Sequence, residues 1–137
     1  MNELHGSRTA SGCRFAIVVS RFNEAITDGL LKGACQALAE ASVRDEDVTV
    51  MRVPGAFDIP VTALRAAETG RFDAVICLGC LIKGETMHFE YIAGAACQAI
   101  AAAATATGVP INKGREVALA AVEMATLFRQ LPEGIGE

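Results

Sequence analysis

Phe15-Ala-Ile-Val-Val19 is an unbroken apolar run with no polar position to alternate against. Such a run reads as a strand covered on both faces. Beyond it the spacing turns helical: Ile26, Leu30, Leu31, Ala34 and Leu38 fall on one stripe, with Asn23 ahead of them as a capping residue. Val48 to Val53 reads as a second strand and Pro54-Gly55 as a turn. A short helix from Asp58 to Ala67 turns Ile59, Ala63 and Ala66 inward, and Pro60 suits its first turn, where a missing N–H costs little. Ala74 to Ile82 is a third strand, and Phe89 to Thr107 a third helix.

The order βαβαβα predicts a parallel sheet with right-handed crossovers and helices on both faces, a three-layer αβα sandwich. The alternation then breaks. Gly108 stops the third helix, and Asn112 caps another that runs from Lys113 to Gln130. Val109-Pro110-Ile111 begins like a strand but is too short to cross a sheet, so the connection predicts a helix hairpin. Parallel sheets of this kind hold ligands beyond the carboxyl ends of their strands. Three segments fall there: Ser20 to Asn23, Pro54 to Asp58, and Lys83 to His88. Their convergence is the strongest physical argument for a site.

Composition narrows the function classes. At 137 residues, 52% apolar and 20% charged, with mean hydropathy +0.35, the chain is expected to fold as one domain, 1–137, behind a flexible polar tail, 1–12. A net charge of −4 and scattered lysines and arginines argue against nucleic-acid binding. The polar start, MNELHGSRTASG, has no apolar core of the kind a signal peptide needs. The stretch 92–109 is mostly alanine and contains Gln98, too weakly hydrophobic to span a membrane. Five cysteines, an odd number set mostly in apolar runs, suggest reduced thiols and a cytoplasmic protein. Cys77-Leu-Gly-Cys80 matches C-x-x-C but lies along a strand, whereas redox motifs open a helix, so a metal or redox role is disfavoured.

Candidate chemistry gathers at the three corners. His88, one of two histidines, precedes an alanine-rich helix. It reads either as a solvated residue at a helix start or as a proton shuttle, since imidazole titrates near neutral pH. Gly84-Glu85-Thr86, beside Lys83, can turn backbone N–H groups toward an anion, although turn formation alone explains the glycine. Phe22 and Phe57 stand where polar loop residues are expected. They either lid the core or stack on a planar heterocycle. Asp58 either caps its helix or accepts bonds from hydroxyls.

Read together, these loops resemble the lumazine synthase family, the penultimate enzymes of riboflavin synthesis. The matching segments are VSRFNEAITDGLLKGA at 19–34, VPGAFDIPVTA at 53–63, LGCLIKGETMHFEYIA at 78–93, TGVPI at 107–111 and NKGREVALAAVEMA at 112–125. The resemblance covers nearly all of the chain beyond the tail. It implies a flavodoxin-like sheet and the condensation of 5-amino-6-(D-ribitylamino)uracil with 3,4-dihydroxy-2-butanone 4-phosphate. The product is 6,7-dimethyl-8-ribityllumazine, with phosphate and water released and no metal or organic cofactor needed.

By position, the resemblance implies that Phe22 stacks on the pyrimidine. Ala56, Phe57 and Asp58 line the pyrimidine and ribityl site, with Cys80, Leu81 and Ile82 below. Glu85 and Thr86 hold the phosphate, and His88 gives and takes protons. It also implies sites between subunits of a homopentamer, which some members build into decamers or 60-subunit icosahedral shells, with riboflavin synthase as a further partner. One departure is plain. The family places a strand, a turn and a helix between its GVP and NKG motifs, carrying an aromatic contact and a phosphate-gripping arginine. Here Ile111 runs straight into Asn112, leaving Lys113 as the cation near the anion. The enzyme reading therefore stands beside two others of the same fold: a catalytically impaired shell or scaffold, and a flavin- or lumazine-binding protein.

Overall fold

The continuous apolar runs become strands that no water reaches. In a computed structural model, which describes residues 1–80, 88–113 and 117–131 but not the side chains of 88–95, 113 and 117, β1 (Phe15–Ser20) and β3 (Ala74–Leu78) are buried at every position. They are the central strands of a sheet ordered β2-β1-β3-β4, with every neighbouring pair parallel. Here β2 is Val48–Val53 and β4 is Ile111–Lys113. The register pairs Phe15 with both Val48 and Ala74, so β1, β2 and β3 start level and end at one rim. As an edge strand, β2 leaves Thr49, Val50 and Arg52 exposed.

Alternate residues of β1 and β3 face opposite layers, because successive strand side chains point to opposite sides. Phe15, Ile17, Val19, Ala74, Ile76 and Leu78 pack on α1 (Glu24–Glu40) and α4 (Val117–Arg129), through Ala34, Leu38, Ala121 and Val122. Ala16, Val18, Val75 and Cys77 pack on α2 (Ile59–Glu68) and α3 (His88–Thr107), through Ile59, Ala63, Ala66 and Ile100. The result is the expected three-layer α/β sandwich. Pro60 sits in the first turn of α2 as its lack of an N–H requires. No helix among the described residues is long and apolar enough to cross a membrane.

Three expectations are corrected. The first concerns the stripe on α1: Ile26 is 53% exposed, and Thr27 is the buried residue of that turn with Ala34 and Leu38. Its hydroxyl donates to the Asn23 and Glu24 carbonyls, so a polar residue can be buried there with its bonding needs met. The second concerns Asn23, whose side chain makes no capping bond. The third is the helix hairpin. Gly108, at φ 71°, turns the chain after α3, and Pro110 O receives the Val75 amide at 2.9 Å. Ile111, Asn112 and Lys113 then pair with Val75, Ile76 and Cys77. The backbone groups along the outer side of β3 need partners, and the short segment supplies them. Asn112 and Lys113 therefore belong to a strand, not to a helix cap and first turn.

The N-terminal residues lie along α4. Ser7 N–H donates to Thr126 Oγ1 at 2.7 Å, Gln130 Nε2 to His5 O at 2.6 Å, and Arg129 Nη2 to Gly12 O at 3.0 Å. The third strand is described to Leu78, with Gly79 and Cys80 past its end; the expected continuation through Leu81 and Ile82 lies outside the described residues.

Candidate active site

Two corners of the rim are joined by backbone. Arg21 N–H donates to Val53 O at 2.7 Å, which carries the β1–β2 ladder one step beyond the strands. Immediately after Arg21, Phe22 stands 50% exposed, and after the β2 turn Phe57 stands 61% exposed. Each ring keeps half or more of its surface open. Exposed aromatic rings on a loop corner leave large apolar faces open to a planar ligand.

The β2 corner is folded by its own acid. Asp58 Oδ2 accepts the Gly55 amide at 2.9 Å, closing the Pro54-Gly55 turn, while Thr62 Oγ1 donates to Asp58 O at 2.9 Å. The Asp58 side chain makes no capping bond to α2, so its expected cap is replaced by a bond that shapes the loop in front. Ala56, between the turn and Phe57, is half-buried.

The β3 corner meets the other two through Gly79 and Cys80. A Cβ on Gly79 would lie 2.9 Å from Ile59 Cδ1, 3.5 Å from Ser20 Oγ and 3.7 Å from Ala56 Cβ. A residue without a side chain lets the chain past β3 come that close to the start of α2, where a Cβ would push on the end of the Ile59 side chain. Ser20 is fully buried there, and its hydroxyl has no hydrogen-bond partner among the described residues. Cys80 accepts from Asn23 Nδ2 at 3.8 Å, linking the β3 corner to the β1 corner. The sequence pattern did not single out Gly79 or Ser20. A lone glycine after a strand is too common a signal, and the close approach exists only in three dimensions.

The remaining candidates divide. His88 is the first described residue of α3, and the residues before it, 81–87, lie outside the described ones. Leu81, Ile82, Glu85 and Thr86 lie outside the described residues. Lys113 ends β4, at the same rim as the other corners. Below Phe57 an open apolar groove of about 480 Å³ runs between α2 and α3, lined by Pro60, Val61, Leu64, Ala99 and Ala103 among others.

None of the five cysteines is in a disulfide. Burial pushes the Cys13 and Cys35 thiols up from their ordinary 9.0, which keeps them protonated and unreactive at neutral pH. The C-x-x-C pair lies on β3 and just past it, not at a helix start. Among the described residues no group of His, Cys, Asp and Glu is gathered so that it could hold a metal ion. Among the described residues the rim offers exposed rings for stacking, and backbone and hydroxyl groups for hydrogen bonding.

Comparison with known proteins gives a consistent result. The sequence model of the 6,7-dimethyl-8-ribityllumazine synthase family matches residues 12–112. Curated relatives include the 6,7-dimethyl-8-ribityllumazine synthases of Xylella fastidiosa strains M12 and M23. Each is 38% identical over 154 residues, covering 96% of this chain and all of the relative. Since 96% of 137 residues fills about 132 of those 154 positions, each relative carries about 22 positions that this chain lacks.

Proposed function

The chain belongs to the 6,7-dimethyl-8-ribityllumazine synthase family, and on that premise we propose that the rim where its β1, β2 and β3 corners meet is the active site. The protein is a lumazine synthase: it condenses 5-amino-6-(D-ribitylamino)uracil with 3,4-dihydroxy-2-butanone 4-phosphate, giving 6,7-dimethyl-8-ribityllumazine, phosphate and water. The observation that carries the placement is the meeting of the corners themselves. They are held by Arg21 on Val53, by Asn23 on Cys80, and by Gly79 packed against Ser20, Ala56 and Ile59.

In this reading Phe22 stacks on the pyrimidine. Ala56, Phe57 and Asp58 line the ring and the ribityl chain, with Cys80, Leu81 and Ile82 beneath. Glu85 and Thr86 hold the phosphate through backbone groups, and Lys113 adds a cation near it. His88 moves the protons. Attack of an amine on a ketone needs a proton delivered to oxygen and one removed from nitrogen. Neutral imidazole does both, and a helix start favours the neutral form. Phosphate leaves by elimination, so a site that accepts an anion assists. Holding two reactants together supplies much of the remaining acceleration.

The whole span, 1–137, is taken as one such domain, working as a cytoplasmic homo-oligomer. The apolar groove beside Phe57 supports a neighbouring copy at the site. The relatives' additional 22 or so positions favour one other reading, a shell or flavin-binding protein of the same fold with an impaired site. Mixing both substrates with the protein and following lumazine fluorescence separates them. Formation faster than the spontaneous reaction is expected; a rate equal to it defeats the enzyme reading.

A further inference from the structure

Asn23 is the only non-glycine residue at the described rim with a left-handed backbone, φ 58° and ψ 58°. Asparagine before a helix ordinarily accepts a bond from one of the first helical amides. Asn23 makes no such bond. Its Nδ2 turns away and donates to Cys80 Sγ at 3.8 Å, across 57 residues of sequence. The Asn23 carbonyl receives the Thr27 amide at 3.1 Å, as an N-cap carbonyl ordinarily does, and the Ile26 amide at 2.9 Å. A sparsely populated backbone conformation, kept although the ordinary cap is given up, calls for a functional reason beside a site.

That reason lies one residue back. Phe22 is half exposed, and among the described residues it belongs to neither core cluster. It is flanked by two anchors: Arg21, bonded to the end of β2, and Asn23, bonded to the residue after Gly79. We propose that Asn23 is a positioning residue, whose left-handed turn and amide-to-thiol tie lock the β1 corner to the β3 corner and so set the Phe22 ring against the ring-bearing substrate. This rests on the reading of the rim as the active site, and it assigns Asn23 a role that acts through Phe22.

The test is a cycle of N23G, C80A and the double variant, with Asn23→Asp as a fourth protein. Glycine adopts φ 58° freely, so N23G keeps the turn and loses only the amide. Aspartate keeps the shape and tolerates the same conformation but has no N–H to donate. Loss of one neutral hydrogen bond predicts a KM for the ribitylaminouracil about twofold to tenfold higher in N23G and N23D. The KM for the butanone phosphate and the melting temperature stay put. The double variant is no worse than the worse single one, because both break the same tie. Independently of catalysis, iodoacetamide followed by peptide mapping should label Cys80 faster in N23G. An unchanged KM in N23G, or full additivity in the double variant, overturns the proposal. If the wild-type protein makes no product, the catalytic reading falls first; an unchanged Cys80 labelling rate then overturns the tie as well.

Discussion

Gly79→Ala tests the packing that brings the corners together. The new Cβ would sit 2.9 Å from Ile59 Cδ1, closer than real Cβ atoms come, with Ser20 Oγ at 3.5 Å and Ala56 Cβ at 3.7 Å. Ile59 is only 4% exposed, so its methyl group has little room to yield. Overpacking of this kind costs about 1–3 kcal/mol. The atom met is the end of a side chain and not backbone, so the lower half of that range applies. For a chain of this size it corresponds to a melting temperature about 3–8 °C lower.

The strain also has a direction. Ile59 heads α2, immediately after Ala56, Phe57 and Asp58, so pushing it displaces the β2 corner and raises the KM for the ring-bearing substrate. Ile59→Val removes the offending Cδ1. Alone it costs about 0.5–1.5 kcal/mol; in the Gly79→Ala background it relieves the contact. The double variant should therefore melt within about 0.5 kcal/mol of Ile59→Val alone and recover most of its substrate affinity. Thermal melts and steady-state kinetics on the four proteins read both quantities. If Gly79→Ala melts with the parent, or if the two losses simply add, then the close approach of β3 to α2 is not what holds the corner.

Other outcomes follow from the same geometry. His88→Ala should slow turnover by tenfold or more, proton transfer by a positioned side chain being worth about 10²–10⁴-fold, while leaving substrate binding nearly intact; unchanged kinetics would remove His88 from the mechanism. Phe22→Ala and Phe57→Ala should each raise the KM for the ribitylaminouracil but change stability by no more than about 0.5 kcal/mol, because both rings are exposed; a large drop in melting temperature would show that the rings serve the core. Stability should fall as pH rises above 9.0, because the Cys13 and Cys35 thiols have their folded-state pKa values raised by burial. Their contribution is complete below 9.0 and is lost as pH rises from there through the folded-state values. Melts of the Cys13→Ala and Cys35→Ala double variant between pH 8 and 10 should show a flatter decline.

Much of the fold was legible because it rests on local pattern. A short apolar run without alternation, such as 15–19 or the start of 74–82, reads as a strand covered on both faces, and strands alternating with helical stripes read as a parallel sheet. The segments after β1 and β2 were identifiable as corners at one rim for the same reason, and the motifs on them carried the family. What the pattern misplaced were positions decided by neighbours distant in sequence. Asn112-Lys113 reads locally as a helix cap and first turn, yet with Ile111 it becomes a strand because the outer side of β3 needs hydrogen-bond partners. Asn23 has the chemistry of a cap, yet its amide serves Cys80, 57 residues away. Gly79 is an unremarkable residue in the chain, yet in space it packs against Ile59, Ser20 and Ala56. The amino-acid order by itself determined β1, β2, β3 and the helices that alternate with them, since burial periodicity is a local property. Only the tertiary structure decided how the corners touch, because hydrogen bonds and close contacts between them are made by residues that no periodicity relates.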